Sequence, residues 1–78
     1  MRPPNEPGIP AWCGEALRLR RLIAGYTALA LAEEIGVAPS TIGRWEADEN
    51  SPSAEHVKQL AAVLDVKPRA FSRVPKLK

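Results

Sequence analysis

The chain has 78 residues and a net charge of +2, with 26% of its residues charged and 45% hydrophobic. That length makes one domain, whose core stabilises it by only about 3–5 kcal/mol. Cys13, the one cysteine, allows no internal disulfide and fits a reducing compartment; with His56 far away it suggests no metal set and no catalytic pair.

Residues 1–10 hold Pro3, Pro4, Pro7, Gly8 and Pro10, which exclude a helix and predict an extended, flexible arm rather than a signal peptide. Arg2 can reach a ligand from this arm or be solvated. Residues 11–72 are expected to form the folded domain, and residues 73–78 a basic tail.

The first helix is predicted from Ala11 to Ala24. Trp12, Ala16, Leu19, Ile23 and Tyr26 recur at alternating spacings of four and three, a helical stripe expected to face the core. Arg18, Arg20 and Arg21 lie mainly off it, and Gly25 ends the helix. Thr27 is placed to cap the second helix. Ala28, Leu31, Ala32 and Ile35 form its apolar face, while Glu33 and Glu34 point to water. Gly36 permits a left-handed turn, and Val37 dips into the core.

The third helix starts at Pro39, whose fixed φ suits a first helical position. Ile42 and Trp45 face inward; Ser40, Gly43, Arg44 and Ala47 lie on the other side. Asp48 to Pro52 make a turn. Ser53 caps the fourth helix, in which Val57, Leu60, Ala61 and Leu64 form a buried face. After Asp65 the chain turns, Val66 packs, and Pro68 opens a short fifth helix through Phe71. No strand pattern precedes residue 73. The longest apolar stretch, Ile23 to Ala32, falls well short of the ~20 residues of a membrane span.

Thr27 to Glu46 therefore reads as two short helices joined by a tight turn. The second buries one side and leaves the other free, as a helix entering the DNA major groove must. Charge is unevenly placed: residues 1–26 carry +2, residues 27–50 carry −4 and residues 51–78 carry +4. A strong phosphate binder would also be basic around its recognition helix, and this chain is so only weakly, through Arg44. There is no paired-carboxylate setting, no nucleophile beside a base, no glycine-rich phosphate loop and no metal spacing. An enzyme, a cofactor and a metal are therefore not expected.

Residues 15–71 resemble the five-helix DNA-binding domain of lambdoid-phage repressors, Cro proteins and the large bacterial family of Cro/C1-type regulators. The resemblance rests on Arg21, Gly25 and Thr27, then Leu31-Ala32 with Ile35-Gly36-Val37. Ser40-Thr41-Ile42, Trp45-Glu46, Pro52-Ser53, Leu60-Ala61, Leu64 and Val66 continue it. It implies an all-α, lambda-repressor-like bundle with the helix-turn-helix at helices 2 and 3. Carried over by position, Pro39, Ser40, Gly43 and Arg44 would face bases. Arg44 is the strongest candidate, since its planar fork can take guanine O6 and N7 together. Thr27, Ala28 and Thr41 would serve phosphates, helped by a basic strip of Arg18, Arg20, Arg69, Arg73, Lys76 and Lys78. Arg21 and Glu46 would form a structural ion pair between the first and third helices.

Three departures from the family pattern bear on affinity. Ala28 stands where the family usually has a phosphate-holding glutamine. Asp48, Glu49 and Asn50 stand where glycine and basic residues often follow the third helix, and their carboxylates would repel the DNA backbone. Ala38 replaces a polar cap. Together they predict weaker, more salt-sensitive binding by one domain.

The expected function is a cytoplasmic transcription regulator, of a bacterium or a phage-infected cell. It would be a repressor binding double-stranded DNA as a homodimer on a two-fold symmetric operator. The dimer surface is expected to include the fifth helix with Phe71, Val74 and Leu77, or a C-terminal strand after Pro75. The alternative is a protein-interaction or antitoxin-type adaptor on the same fold, with a protein partner and weak DNA binding.

Overall fold

The computed structural model of the chain describes residues 12–72. The expected arm of residues 1–10 and tail of residues 73–78, with Arg73, Val74, Lys76, Leu77 and Lys78, lie outside the described residues. Four α-helices and one 3-10 turn follow in order: α1 (Gly14–Ala24), α2 (Ala28–Ile35), α3 (Pro39–Glu46), α4 (Ala54–Leu64) and a 3-10 helix over Pro68–Phe71. The expected fifth helix is thus a single tight turn. Among the described residues no strand forms; Trp12 and Ser72 make one isolated antiparallel bridge.

Helix ends follow local chemistry. The Thr27 hydroxyl accepts from the Ala30 N–H at 3.0 Å, and the Ser53 hydroxyl accepts from the His56 N–H at 3.2 Å. Gly25 and Gly36 take left-handed conformations, with φ of 84° and 80°, and stop α1 and α2. Pro39 occupies the first turn of α3, and Ala38 supplies no side-chain cap.

The core joins Leu17 of α1, Leu31 and Ala32 of α2, Ile42 and Trp45 of α3, Val57, Leu60, Ala61 and Leu64 of α4, and Phe71. Trp12, Tyr26, Ala28, Ile35, Val37, Val63 and Val66 pack around it, half-buried. The faces expected for α2, α3 and α4 are the buried ones. His56, at the start of α4, lies against Trp45 with ring centroids 5.3 Å apart, which joins α4 to α3.

The first helix departs from expectation. It starts at Gly14, not Ala11, and Trp12 precedes it in the extended bridge to Ser72. Its inward residues are Gly14 and Leu17, with Arg21 half-buried, while Leu19 and Ile23 of the expected stripe are 56% and 66% exposed. At 3.6 residues per turn, Leu17 and Leu19 sit on nearly opposite sides of the helix. Two contacts with α3 choose the inward side: the bare backbone of Gly14 lies against the Trp45 and Glu46 carbonyls, and Arg21 reaches Glu46. Phe71 is fully buried, so it is no part of an exposed dimer surface.

Candidate nucleic-acid interface

Helix α3 buries Ile42 and Trp45 and leaves Pro39, Ser40, Gly43, Arg44 and Ala47 exposed on one continuous side. The four residues expected to face bases are thus on the free face of an eight-residue helix. Thr41 is half-buried at its edge. Just before it, Thr27 is exposed but its hydroxyl already caps α2, and Ala28 is half-buried against the core.

The free face is backed by a polar tie. Arg21 Nε donates to Glu46 Oε2 at 2.6 Å and Nη2 donates to Oε1 at 3.2 Å, a fork-to-fork pair between α1 and the last residue of α3. Arg21 Nη1 also donates to the Tyr26 carbonyl at 3.0 Å, so one guanidinium links α1, the α1–α2 turn and α3. The two side chains are only 12% and 11% exposed. The hydrogen bond that Arg21 donates to Glu46 raises the Arg21 pKa above its already high ordinary value, the partial burial opposes this, and the charge of Glu46 adds to the rise. Arg21 therefore stays cationic, and the pair ties the last residue of α3 to α1.

The basic residues are spread unevenly. Arg18 and Arg20 are exposed on α1. Arg18 lines a shallow surface depression with Glu15, Leu19 and Leu22, among apolar rather than basic neighbours. Arg69 is exposed on the 3-10 turn, which packs chiefly on α4 and α1. Arg18 and Arg20 thus share α1, while Arg69 stands on the 3-10 turn. Glu33, Glu34 and Glu49 are exposed on α2 and after α3, so the acidic middle of the sequence is an acidic surface.

Asp48 has a role the sequence did not reveal. Its Oδ1 accepts from the Gly14 N–H at 2.9 Å, at the start of α1. Trp12 Nε1 donates to the Trp45 carbonyl at 2.8 Å on the same side. The sign in the sequence is a short polar residue two positions past a helix, a type that tolerates positive φ.

A sequence model of the helix-turn-helix family matches residues 17–71. The chain belongs to this family. Its fold is the lambda-repressor-like, all-α DNA-binding domain of Cro/C1 type, with the matched span running from the core leucine of α1 to the buried Phe71. Several solved structures are similar. The P22 c2 repressor protein, in complex with a synthetic operator, is 30% identical with a TM-score of 0.72, covering 77% of this chain and 91% of that one. The restriction-modification controller protein C.AhdI from Aeromonas hydrophila is 31% identical with a TM-score of 0.70, covering 74% and 88%. SinR, a master regulator for biofilm formation in complex with DNA, is 32% identical with a TM-score of 0.69, covering 74% and 94%.

The same helices also match hydroxypropylphosphonic acid epoxidase from S. wedmorenis, 26% identical with a TM-score of 0.70, but over only 32% of that chain. That likeness therefore concerns a part of the epoxidase the size of this domain. Comparison with curated proteins gives no match. Among the described residues, no group of three or more His, Cys, Asp or Glu side chains could hold a metal ion. No described helix is long and apolar enough to cross a membrane.

Proposed function

We propose that the protein is a sequence-specific transcription regulator, a repressor that binds double-stranded DNA by placing α3 in the major groove. The observation that carries this reading is the free face of Pro39, Ser40, Gly43 and Arg44 on a helix fixed from behind by Ile42, Trp45 and the Arg21–Glu46 pair. Arg44 takes a guanine through two parallel hydrogen bonds. Ser40 and Thr41 serve the bases and phosphates at the near edge, and the first turn of α2 with Thr27 and Ala28 receives a phosphate. One eight-residue helix reads only a few base pairs, so two copies on a two-fold symmetric operator are needed, with half-sites about one helical turn apart. The similar c2 repressor and SinR structures, both solved with DNA, support the reading.

The test is selection of bound duplexes from a random pool at two salt concentrations, with wild type and Arg44→Ala in parallel. An inverted repeat should be enriched, and Arg44→Ala should lose about 1–3 kcal/mol of discrimination at one position per half-site. No enrichment even at low salt would overturn the proposal.

A second reading, a protein-interaction module, is favoured by one observation. The outer face of α1 exposes Leu22 and Ile23 beside Leu19, and Leu29 is exposed on α2. Exposed aliphatic side chains on one helix face suit a protein contact. A partner that binds this chain equally well with and without DNA present would support it.

A further inference from the structure

The end of α3 is tied to the start of α1 by groups other than the Arg21–Glu46 pair. Asp48, two residues past the helix, accepts the Gly14 N–H, while the Trp12 indole donates to the Trp45 carbonyl. Gly14 has no room for a side chain: an added Cβ would overlap the Trp45 and Glu46 carbonyls. The cap of α1 is therefore supplied from outside, since its own N-cap residue, Cys13, makes no side-chain cap. Asp48 holds a left-handed φ of 63°, which aims its carboxylate at the positive end of α1. Its backbone N–H and that of Glu49 close the end of α3 on the Trp45 and Arg44 carbonyls, at 3.3 and 2.9 Å.

We propose that Asp48, acting through Gly14 and alongside the Trp12–Trp45 bond, is a positioning residue for the recognition helix. This rests on the DNA reading above and deepens it. Helix α3 is eight residues long, about 12 Å. Its inward anchors are Ile42 and Trp45, and its polar anchor at Glu46 is a single side chain. Rocking about that anchor is the freedom that further ties at this end would have to restrain. A tilt of about 5° over about 12 Å moves its first turn by about 1 Å, enough to break a two-bond contact to a base edge. The Asp48 and Trp12 ties sit at the same end but on separate backbone groups, and they remove that freedom.

This role and a purely repulsive one have opposite signs. If Asp48 only faces phosphates, removing its charge tightens binding to every duplex. If it positions α3, removing its acceptor loosens recognition while keeping the acceptor preserves it. Asp48→Gly removes the acceptor and suits the left-handed backbone, so the fold is kept. Asp48→Asn keeps Oδ1 and also tolerates that backbone.

The experiment compares wild type, Asp48→Asn and Asp48→Gly by two measurements. One is backbone amide and indole NMR of the free protein. The other is competition between the selected duplex and random duplex at two salt concentrations. Asp48→Gly should shift the Gly14 amide and the amides of Ser40, Gly43 and Arg44, and should speed exchange of the Trp12 indole proton. It should lower the selected-to-random ratio about tenfold, within the range that one bidentate base contact supplies. Asp48→Asn should stay close to wild type in both.

Unmoved α3 amides in Asp48→Gly would overturn the proposal. So would equal tightening on all duplexes by both variants, growing as salt falls. If wild type itself does not discriminate between duplexes, the DNA reading fails. The α3 amide shifts then decide alone whether Asp48 positions the helix.

Discussion

Removing Arg21 tests the frame behind α3 most directly. Arg21→Met deletes three hydrogen bonds together, two to Glu46 and one to the Tyr26 carbonyl. It leaves the Glu46 carboxylate, 11% exposed, without its cation. Breaking one side of such a pair costs about 3 kcal/mol or more. A core of this size supplies only about 3–5 kcal/mol in all, so the variant should sit at the edge of unfolding. Arg21→Met with Glu46→Leu removes both charges and keeps most of the volume. Only the Tyr26 carbonyl then loses a donor, at about 1 kcal/mol. The double variant should therefore be more stable than Arg21→Met by about 2 kcal/mol, against the simple expectation that two changes cost more than one. Urea unfolding followed by the fluorescence of Trp12 and Trp45 measures this. With a slope near 1 kcal/mol per M, the midpoint should fall by about 3 M in the single variant and about 1 M in the double. A double variant that loses the sum of the two single losses would refute the coupling. Restored stability should not restore discrimination between duplexes, because the polar tie that orients α3 would still be missing.

Two glycine substitutions follow from what a side chain would meet. Gly43→Ala places its Cβ in open space on the free face of α3, so thermal unfolding should show a gain of about 0.5–1 kcal/mol from helix propensity and unfolded-chain entropy. If DNA backbone approaches Gly43 closely, the same variant binds the selected duplex more weakly despite its higher Tm; unchanged binding removes Gly43 from the contact surface. Gly14→Ala has the opposite outcome, because its Cβ would run into backbone carbonyls: a loss of about 1–3 kcal/mol is expected, and a raised Tm would refute the close approach of α1 to α3.

Where each element's evidence lies in the chain decides how much of it the sequence discloses. Helices α2, α3 and α4 carry their own punctuation: Thr27 and Gly36, Pro39, and Ser53 each act within a turn of where they stand. Their buried faces repeat at helical spacing, so Leu31, Ile42, Leu60 and their neighbours were legible, and with them the free face of α3. Helix α1 carries little of its own evidence. Its cap is Asp48, 34 residues away, and the carboxylate that draws Arg21 inward is Glu46, 25 residues away. Read locally, α1 offers a longer apolar stripe through Leu19 and Ile23 than through Leu17, and the periodicity favours the wrong side. The family resemblance implies the Arg21–Glu46 pairing, and that pairing turns the Arg21 side of α1 toward α3. A guanidinium tied to a half-buried carboxylate fixes a helix face as firmly as a leucine does, and with Gly14 pressed on the α3 carbonyls it outweighs the exposure of three aliphatic side chains. The same long-range contacts add a structural role to Asp48. A charge judged by its neighbours in sequence belongs to an acidic turn facing DNA, whereas judged by the donor it accepts, it belongs to the start of α1. The charge sum of residues 27–50 overstates the repulsion that DNA would meet at α3 by the one carboxylate, Glu46, that is paired with Arg21; Asp48, bonded to a neutral amide, keeps its charge.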